Sequence, residues 1–310
     1  MRTEGFVPFR GHRTWYEVHG DLDAGTPPLV ALHGGPGAPH DYLGDLALLA
    51  DDGIPVVFYD QLGCGASDRP DDDALWIFDT FVDELVALRR HLGLDRLHLL
   101  GHSWGGWLAL ESVLRPEFQQ GLVSLILAST CPSMPKFGIM TRALKALLPI
   151  DVQETLDRHE AAGTTASEDY QAASWAYFSR FVIRRDPLPD HVARSFGALN
   201  ERIYQLMQGP EWNVTGNIRH WDVTDRLDEI RVPTLVTSGR YDEMTPALVA
   251  PMVEGIPGAD WVMFEHSAHV AMAEEPERYR QVAGDFIRRT TAAARGATAG
   301  AAPGPGRPGA

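Results

Sequence analysis

Gly101-His102-Ser103-Trp104-Gly105-Gly106 stands between an apolar run, Arg96-Leu97-His98-Leu99-Leu100, and an apolar segment, Trp107-Leu108-Ala109-Leu110. That order predicts a strand, a tight turn and a helix. A Gly-x-Ser-x-Gly turn there puts the serine on a strained backbone corner, with its hydroxyl exposed and the next amide facing the same space. Glycines at 101 and 105 leave room where a Cβ would collide with adjacent backbone. Ser103 is therefore the candidate nucleophile. It needs a base, an acid that orients the base, and a second oxyanion donor, in the chain order Ser, Asp or Glu, His.

The flanking sequence supplies a frame for such a corner. Thr14 to His19 alternates like a strand, and Leu29 to Leu32 and Val56 to Tyr59 are short apolar runs bounded by Pro and Gly, as buried parallel strands are. Asp79 to Leu92 has helical spacing, with Phe81, Leu85, Leu88 and Leu92 on one face. Leu122 to Ala128, Thr234 to Thr237 and Trp261 to Phe264 read as further strands, and Arg278 to Arg289 as a closing helix. The class is α/β: a mostly parallel central sheet with helices on both faces. The alternation fails from about Pro132 to Ile230, a helical stretch rich in aromatics. Strands resume directly after it, so residues 132–230 are expected to form a helical cap over the catalytic edge, on a core made of residues 1–131 and 231–290. From Thr291 to Ala310 the chain is Thr, Ala, Gly and Pro with little else, and a disordered tail is expected.

At 310 residues the chain is long enough for a large core, and 44% hydrophobic and 22% charged residues are ordinary for a globular protein. A net charge of −15 argues against nucleic acid or an anionic membrane as partner. The two cysteines, Cys64 and Cys131, form no metal-ligand pattern and read as buried free thiols. The N-terminus has no apolar stretch of signal-peptide length and there is no membrane-length apolar run, so a cytoplasmic protein is expected. No cofactor and no metal are implied, and the oligomeric state is not encoded in any pattern.

The remaining catalytic parts follow along the chain. The run Ser238-Gly239-Arg240-Tyr241-Asp242-Glu243-Met244-Thr245-Pro246 follows a late strand, and Thr245-Pro246 reads as the cap and first residue of a helix. Asp242 is the candidate acid, holding the imidazole's tautomer and stabilising the imidazolium. Two histidines follow the last strand, in Glu265-His266-Ser267-Ala268-His269. His266 sits almost on the strand end; His269 lies deeper in the loop and is the candidate base. His33-Gly34-Gly35-Pro36-Gly37 follows the strand ending at Leu32. Its glycines permit a bend that aims N–H groups at one point, so the oxyanion donors are assigned to the amides of Gly35 and Trp104.

These motifs give the chain a resemblance, from about residue 10 to 290, to the proline iminopeptidase family of α/β-hydrolases, which also includes amino-acid amidases. It rests on His33 to Gly37, Asp60-Gln61-Leu62-Gly63-Cys64-Gly65-Ala66-Ser67, Gly101 to Gly106, Gly209-Pro210-Glu211-Trp212 with Thr215-Gly216, and Gly239 to Pro246. The resemblance implies the α/β-hydrolase fold and acidic residues that hold the substrate's free α-ammonium. The matching positions are Glu211 and Glu243; the family has one more residue between Pro210 and the glutamate, and Glu201 is an alternative partner. Trp107 and Trp212 are candidate substrate contacts, with Phe137, Trp175 and Tyr204 further aromatics of the expected cap.

The expected activity is that of a serine hydrolase acting through an acyl-enzyme. It would remove an N-terminal proline or other small or apolar residue from short peptides, amino-acid amides or an aminoacylated small molecule such as a natural-product intermediate. The alternatives are an esterase or lactonase on neutral acyl groups, and a binding protein that has kept the fold without the chemistry.

Overall fold

The computed structural model describes the backbone of residues 1–300 and the side chains of residues 1–296. Eight strands form one sheet: β1 (Arg2–Phe9), β2 (His12–His19), β3 (Leu29–Leu32), β4 (Val56–Tyr59), β5 (Leu97–His102), β6 (Leu122–Ala128), β7 (Thr234–Gly239) and β8 (Asp260–Phe264). Their spatial order is β1-β2-β4-β3-β5-β6-β7-β8, with β1 and β2 antiparallel and β3 to β8 parallel. The first helices are α1 (Phe78–His91) and α2 (Trp104–Val113).

The strands from β3 to β7 are apolar at successive positions because both faces are covered. Val30, Leu32, Leu99, Leu125, Leu127 and Val236 pack on one side with residues of α1 and α2. Leu29, Ala31, Leu100, Ile126, Ala128 and Leu235 pack on the other. The first strand was not foreseen from sequence. Gly5 and Pro8 interrupt its pattern, and an edge strand with one free side tolerates both.

Between β6 and β7 the chain makes five α-helices, one short 3-10 helix (Thr224–Glu229) and no strand of the sheet: α3 (Met134–Lys145), α4 (Ile150–Ala162), α5 (Glu168–Phe181), α6 (Asp190–Gly197) and α7 (Glu201–Met207). The two connections to this unit run side by side. The Val223 amide donates to the Pro132 carbonyl at 2.9 Å, the Met134 amide to the Trp221 carbonyl at 2.9 Å, and the Ser133 hydroxyl to Asp222 at 2.6 Å. At its far side the unit touches the loops after three strands. Glu243 donates its amide to the Phe181 carbonyl at 3.1 Å, Val270 to Val182 at 3.2 Å, and Asn200 to Gly37 at 2.9 Å.

After β7 come α8 (Pro246–Gly255), α9 (Ala271–Glu274) and α10 (Pro276–Gly300). The spacing predicts a helix ending at Arg289 and a disordered tail from Thr291, and the structure corrects this: α10 runs on through Gly300. Thr290 and Thr291 are buried, and the Thr291 hydroxyl bonds His98 Nε2 at 2.9 Å. Ala292-Ala293-Ala294 then extend a helix already nucleated, which alanine does at least cost. The rest of the expected tail, 301–310, lies outside the described residues. Both cysteines are buried and unpaired. Among the described residues no helix is long and apolar enough to cross a membrane.

Three histidines packed in this frame are held neutral. Burial, then the neighbouring Arg96, brings His98 down to about 3; burial brings His33 to about 4 and His102 well below the ordinary range. In the unfolded chain each takes a proton as the pH falls through about 6.5, while the folded sites do not. Stability is therefore present above that pH and is lost as the pH falls from it toward about 4. Urea titrations of His98→Asn across this window should show a slope shallower by up to about 1.4 kcal/mol per pH unit than the parent.

Candidate active site

Ser103 begins the turn from β5 into α2 at φ 56°, ψ −121°, a region a non-glycine residue enters only under constraint. Four bonds supply the constraint. Its amide donates to the Ala128 carbonyl at 3.0 Å, and its carbonyl accepts from Gly106 at 2.8 Å, Trp107 at 3.2 Å and the Thr130 hydroxyl at 3.0 Å. A Cβ at Gly101 would run into the Gly105 carbonyl, and one at Gly105 into the Leu32 carbonyl. Only glycine lets β5, α2 and the end of β3 approach this closely.

The loop after β3 carries Gly35 at φ 112°, and a Cβ there would lie 2.5 Å from the Gly37 nitrogen. His33 orients the loop. Its Nε2 accepts the Gln61 amide at 2.9 Å, so Nδ1 carries the proton and donates to the Gly34 carbonyl at 3.0 Å. In a trans peptide the carbonyl points away from the next N–H, so this bond turns the Gly35 amide outward. Gln61 also accepts from the Trp104 indole at 2.7 Å and donates to the His33 carbonyl at 3.0 Å, which ties this loop to α2. Among the described residues neither the Gly35 nor the Trp104 amide has a hydrogen-bond partner. Both are free to donate to a ligand.

Asp242 and His269 meet across the loops after β7 and β8. Asp242 Oδ1 accepts from His269 Nδ1 at 2.8 Å and from the Met244 amide at 2.8 Å. His269 is 5% exposed and Asp242 3%, whereas His266 is exposed and away from Asp242. Ser103 has no side-chain hydrogen bond among the described residues. The His269 ring packs edge-on against His102, the residue before Ser103, with centroids 4.7 Å apart. His102 in turn joins three loops. Its Nε2 donates to the His269 carbonyl at 2.8 Å, and its Nδ1 accepts from the Tyr42 hydroxyl at 2.7 Å. That hydroxyl accepts the Gly34 amide at 2.6 Å.

The two glutamates come to the same place. Glu243 is 3% exposed, with Oε1 3.9 Å from His269 Nε2 and Oε2 accepting from the Tyr177 hydroxyl at 3.0 Å. Glu211 accepts from the Tyr204 hydroxyl and, at 3.2 Å, from Gln208. Burial, then Glu211, pushes the Glu243 carboxyl well above the usual range; burial raises Glu211, against Tyr204 and His269. Burial alone would lower His269, but Asp242, Glu243 and Glu211 outweigh it and hold the imidazole at about 9. Tyr177 and Gln208 were not foreseen. Nothing in the spacing of α5 marks Tyr177, whose partner Glu243 lies in the loop after β7, and no local motif marks Gln208, three residues before Glu211.

The aromatics divide. Trp107 is buried against Trp104, Phe137 and Trp221. Trp212 is buried inside the helical unit, its indole donating to Glu160 at 2.5 Å and its ring 5.2 Å from Tyr177. Its link to Glu243 runs through Tyr177. Trp175 and Glu201 are exposed.

This is the frame of a hydrolase: an α/β-hydrolase-fold model matches residues 27–276. The proline iminopeptidase of Heyndrickxia coagulans is 43% identical over 289 residues, 93% of this chain and 99% of that one. Among solved structures, VinJ superposes with a TM-score of 0.89 at 43% identity, covering 93% of this chain and 99% of that chain. Proline iminopeptidase from Mycobacterium smegmatis gives 0.85 at 38%, covering 94% and 100%. The chain belongs to the proline iminopeptidase family.

Tyr42→Phe keeps the ring but strands the Gly34 amide and His102 Nδ1. A loss of about 1–3 kcal/mol in denaturant-measured stability is expected.

Proposed function

We propose that the protein is a serine aminopeptidase or amidase with residues 132–230 as a cap over its site. The observation that carries this is the pair of carboxylates, buried Glu243 and half-buried Glu211, beside the His269 ring. A covered site that gathers two acids next to a nucleophile suits a substrate bearing a cation one residue back from the scissile bond. An N-terminal α-ammonium has that charge at that distance. Short peptides, amino-acid amides and aminoacylated small molecules, natural-product intermediates included, all present it.

In this mechanism the ammonium docks on Glu211 and Glu243. His269 Nε2 takes the Ser103 proton as Oγ attacks the first carbonyl, and the Gly35 and Trp104 amides hold the oxyanion. Asp242 keeps the proton of His269 on Nδ1 and stabilises the imidazolium. His269 then protonates the departing amine, and water deacylates the enzyme by the same route. The Ser103 hydroxyl is unengaged in the free protein, as is common before substrate tightens such contacts. Proline or another small apolar residue is the expected first residue.

Aminoacyl-4-nitroanilides with a free amine should be cleaved, and their N-acetyl counterparts should not. Cleavage of the acetylated members would favour an esterase or lactonase acting on neutral acyl groups instead. Ser103→Ala should abolish labelling by a fluorophosphonate and lower kcat by about 10⁴-fold or more. Glu211→Gln and Glu243→Gln should each lower kcat/KM for the free amines by about 10- to 100-fold, the worth of a charge-assisted bond.

A further inference from the structure

His269 Nε2 has two claimants. The proposed mechanism needs it as the acceptor of the Ser103 proton, yet in the free protein it faces Glu243 Oε1 at 3.9 Å. The groups around the ring come from every side of the site. Asp242 holds Nδ1 at 2.8 Å. His102 lies edge-on with both its nitrogens already committed. Glu211 reaches in from the helical unit with Tyr204 and Gln208, and Tyr177 holds the far oxygen of Glu243. Glu274, behind the loop, is occupied by the amides of Ala268 and Arg184, each at 2.6 Å. Among the described residues no lysine or arginine pairs with Glu211 or Glu243, and the sole ion-pair partner of Glu243 is His269.

Buried Glu243 and half-buried Glu211, neither paired with a lysine or arginine among the described residues, stand beside Asp242 and leave the free site short of positive charge. Burying unpaired anions is costly, so a proton is drawn in to offset them. The elevated affinities of His269, Glu243 and Glu211 for a proton agree with this.

We propose, on the reading that Glu211 and Glu243 dock an ammonium, that the substrate's cation displaces this proton and thereby makes His269 a base. In the free enzyme Nε2 carries the proton, held against Glu243. The incoming ammonium takes over Glu243 and Glu211, Nε2 loses its carboxylate partner, and its proton leaves to solvent. One cation enters as one proton departs, so the charge of the site is unchanged and no covalent bond beyond N–H is altered. The imidazole is then neutral at Nε2 and available to Ser103. Selection for a free amine thus acts on turnover as well as on binding. A neutral acyl substrate meets an enzyme whose base is still occupied.

The acid limb of kcat/KM reports the free enzyme, and that of kcat the substrate complex. For prolyl-4-nitroanilide the midpoint in kcat should lie at least about one pH unit below that in kcat/KM. For 4-nitrophenyl acetate the midpoint in kcat/KM should stay at the free-enzyme value. Glu243→Gln should lower that midpoint for the ester and raise its turnover at pH 7 several-fold, while depressing turnover of the nitroanilide. Glu211→Gln, as a second variant, should act in the same direction. Prolinol, which has the cation but no scissile carbonyl, should release close to one proton per site on binding in weakly buffered solution. Coincident limbs in kcat and kcat/KM, with prolinol binding and no proton released, would overturn the proposal. Loss of nitroanilide turnover in Glu243→Gln with no change in the ester's limb overturns the displacement and leaves ammonium docking standing. Unaltered nitroanilide turnover in both glutamine variants removes the docking itself, and the displacement with it.

Discussion

A serine held at φ 56° stores free energy that the surrounding structure must offset, of the order of 1–3 kcal/mol. The corner at Ser103 is held because the two strands that flank β5 end beside it. β6 supplies the carbonyl that takes its amide, the segment after β6 supplies the Thr130 hydroxyl, and β3 ends against Gly105 with no space for a side chain. The parallel order β3-β5-β6 is what brings those ends together. A shift of one strand would leave the serine free to relax to ordinary dihedrals. The exposed hydroxyl is thus a consequence of sheet register as much as of the five residues around it.

The loops above the sheet are fixed to one another by buried polar side chains. Tyr42 and His102 connect the loop after β3, the corner and the loop after β8 through bonds of 2.6 to 2.8 Å. His33, Gln61 and Trp104 form a second set that aims the Gly35 peptide. Both histidines are neutral, which lets each donate through one nitrogen and accept through the other. A charged ring would lose its acceptor and break the set. Burial, the same influence that keeps these two rings uncharged, is outweighed at His269 by three carboxylates. One sheet edge therefore carries histidines of opposite character, and the difference is the direct bond of His269 to Asp242 with two glutamates close by.

The helical unit between β6 and β7 has its own core of Leu156, Tyr170, Tyr177, Val192 and Trp212, continuous with that of one sheet face. It brings Glu211, Tyr204, Gln208 and Tyr177 to the loops that carry Glu243 and His269. Trp212 illustrates the limit of reading aromatics from sequence. A large apolar residue in a cap serves equally as wall or as packing, and here it backs Tyr177.

Much of the sheet was legible because buried parallel strands read as short apolar runs and helices as three-to-four-residue spacing, signals contained within a few residues each. The turn at Ser103, the glycines of residues 33–37 and the acid-bearing loop after β7 were legible for the same reason: each is a local backbone demand. The strand Arg2–Phe9 and the end of α10 were not, since one is specified by pairing with β2 and the other by the docking of Thr291 on His98. The amino-acid sequence by itself determined which chemical groups are present and the local bends that display them. Only the tertiary structure decided that Asp242 and His269 meet, that Tyr177 holds Glu243, and that Trp212 packs behind Tyr177. Those outcomes depend on contacts between segments distant in the chain, Tyr177 with Glu243 among them, set by how helices pack, and no pattern within one segment records its distant partner.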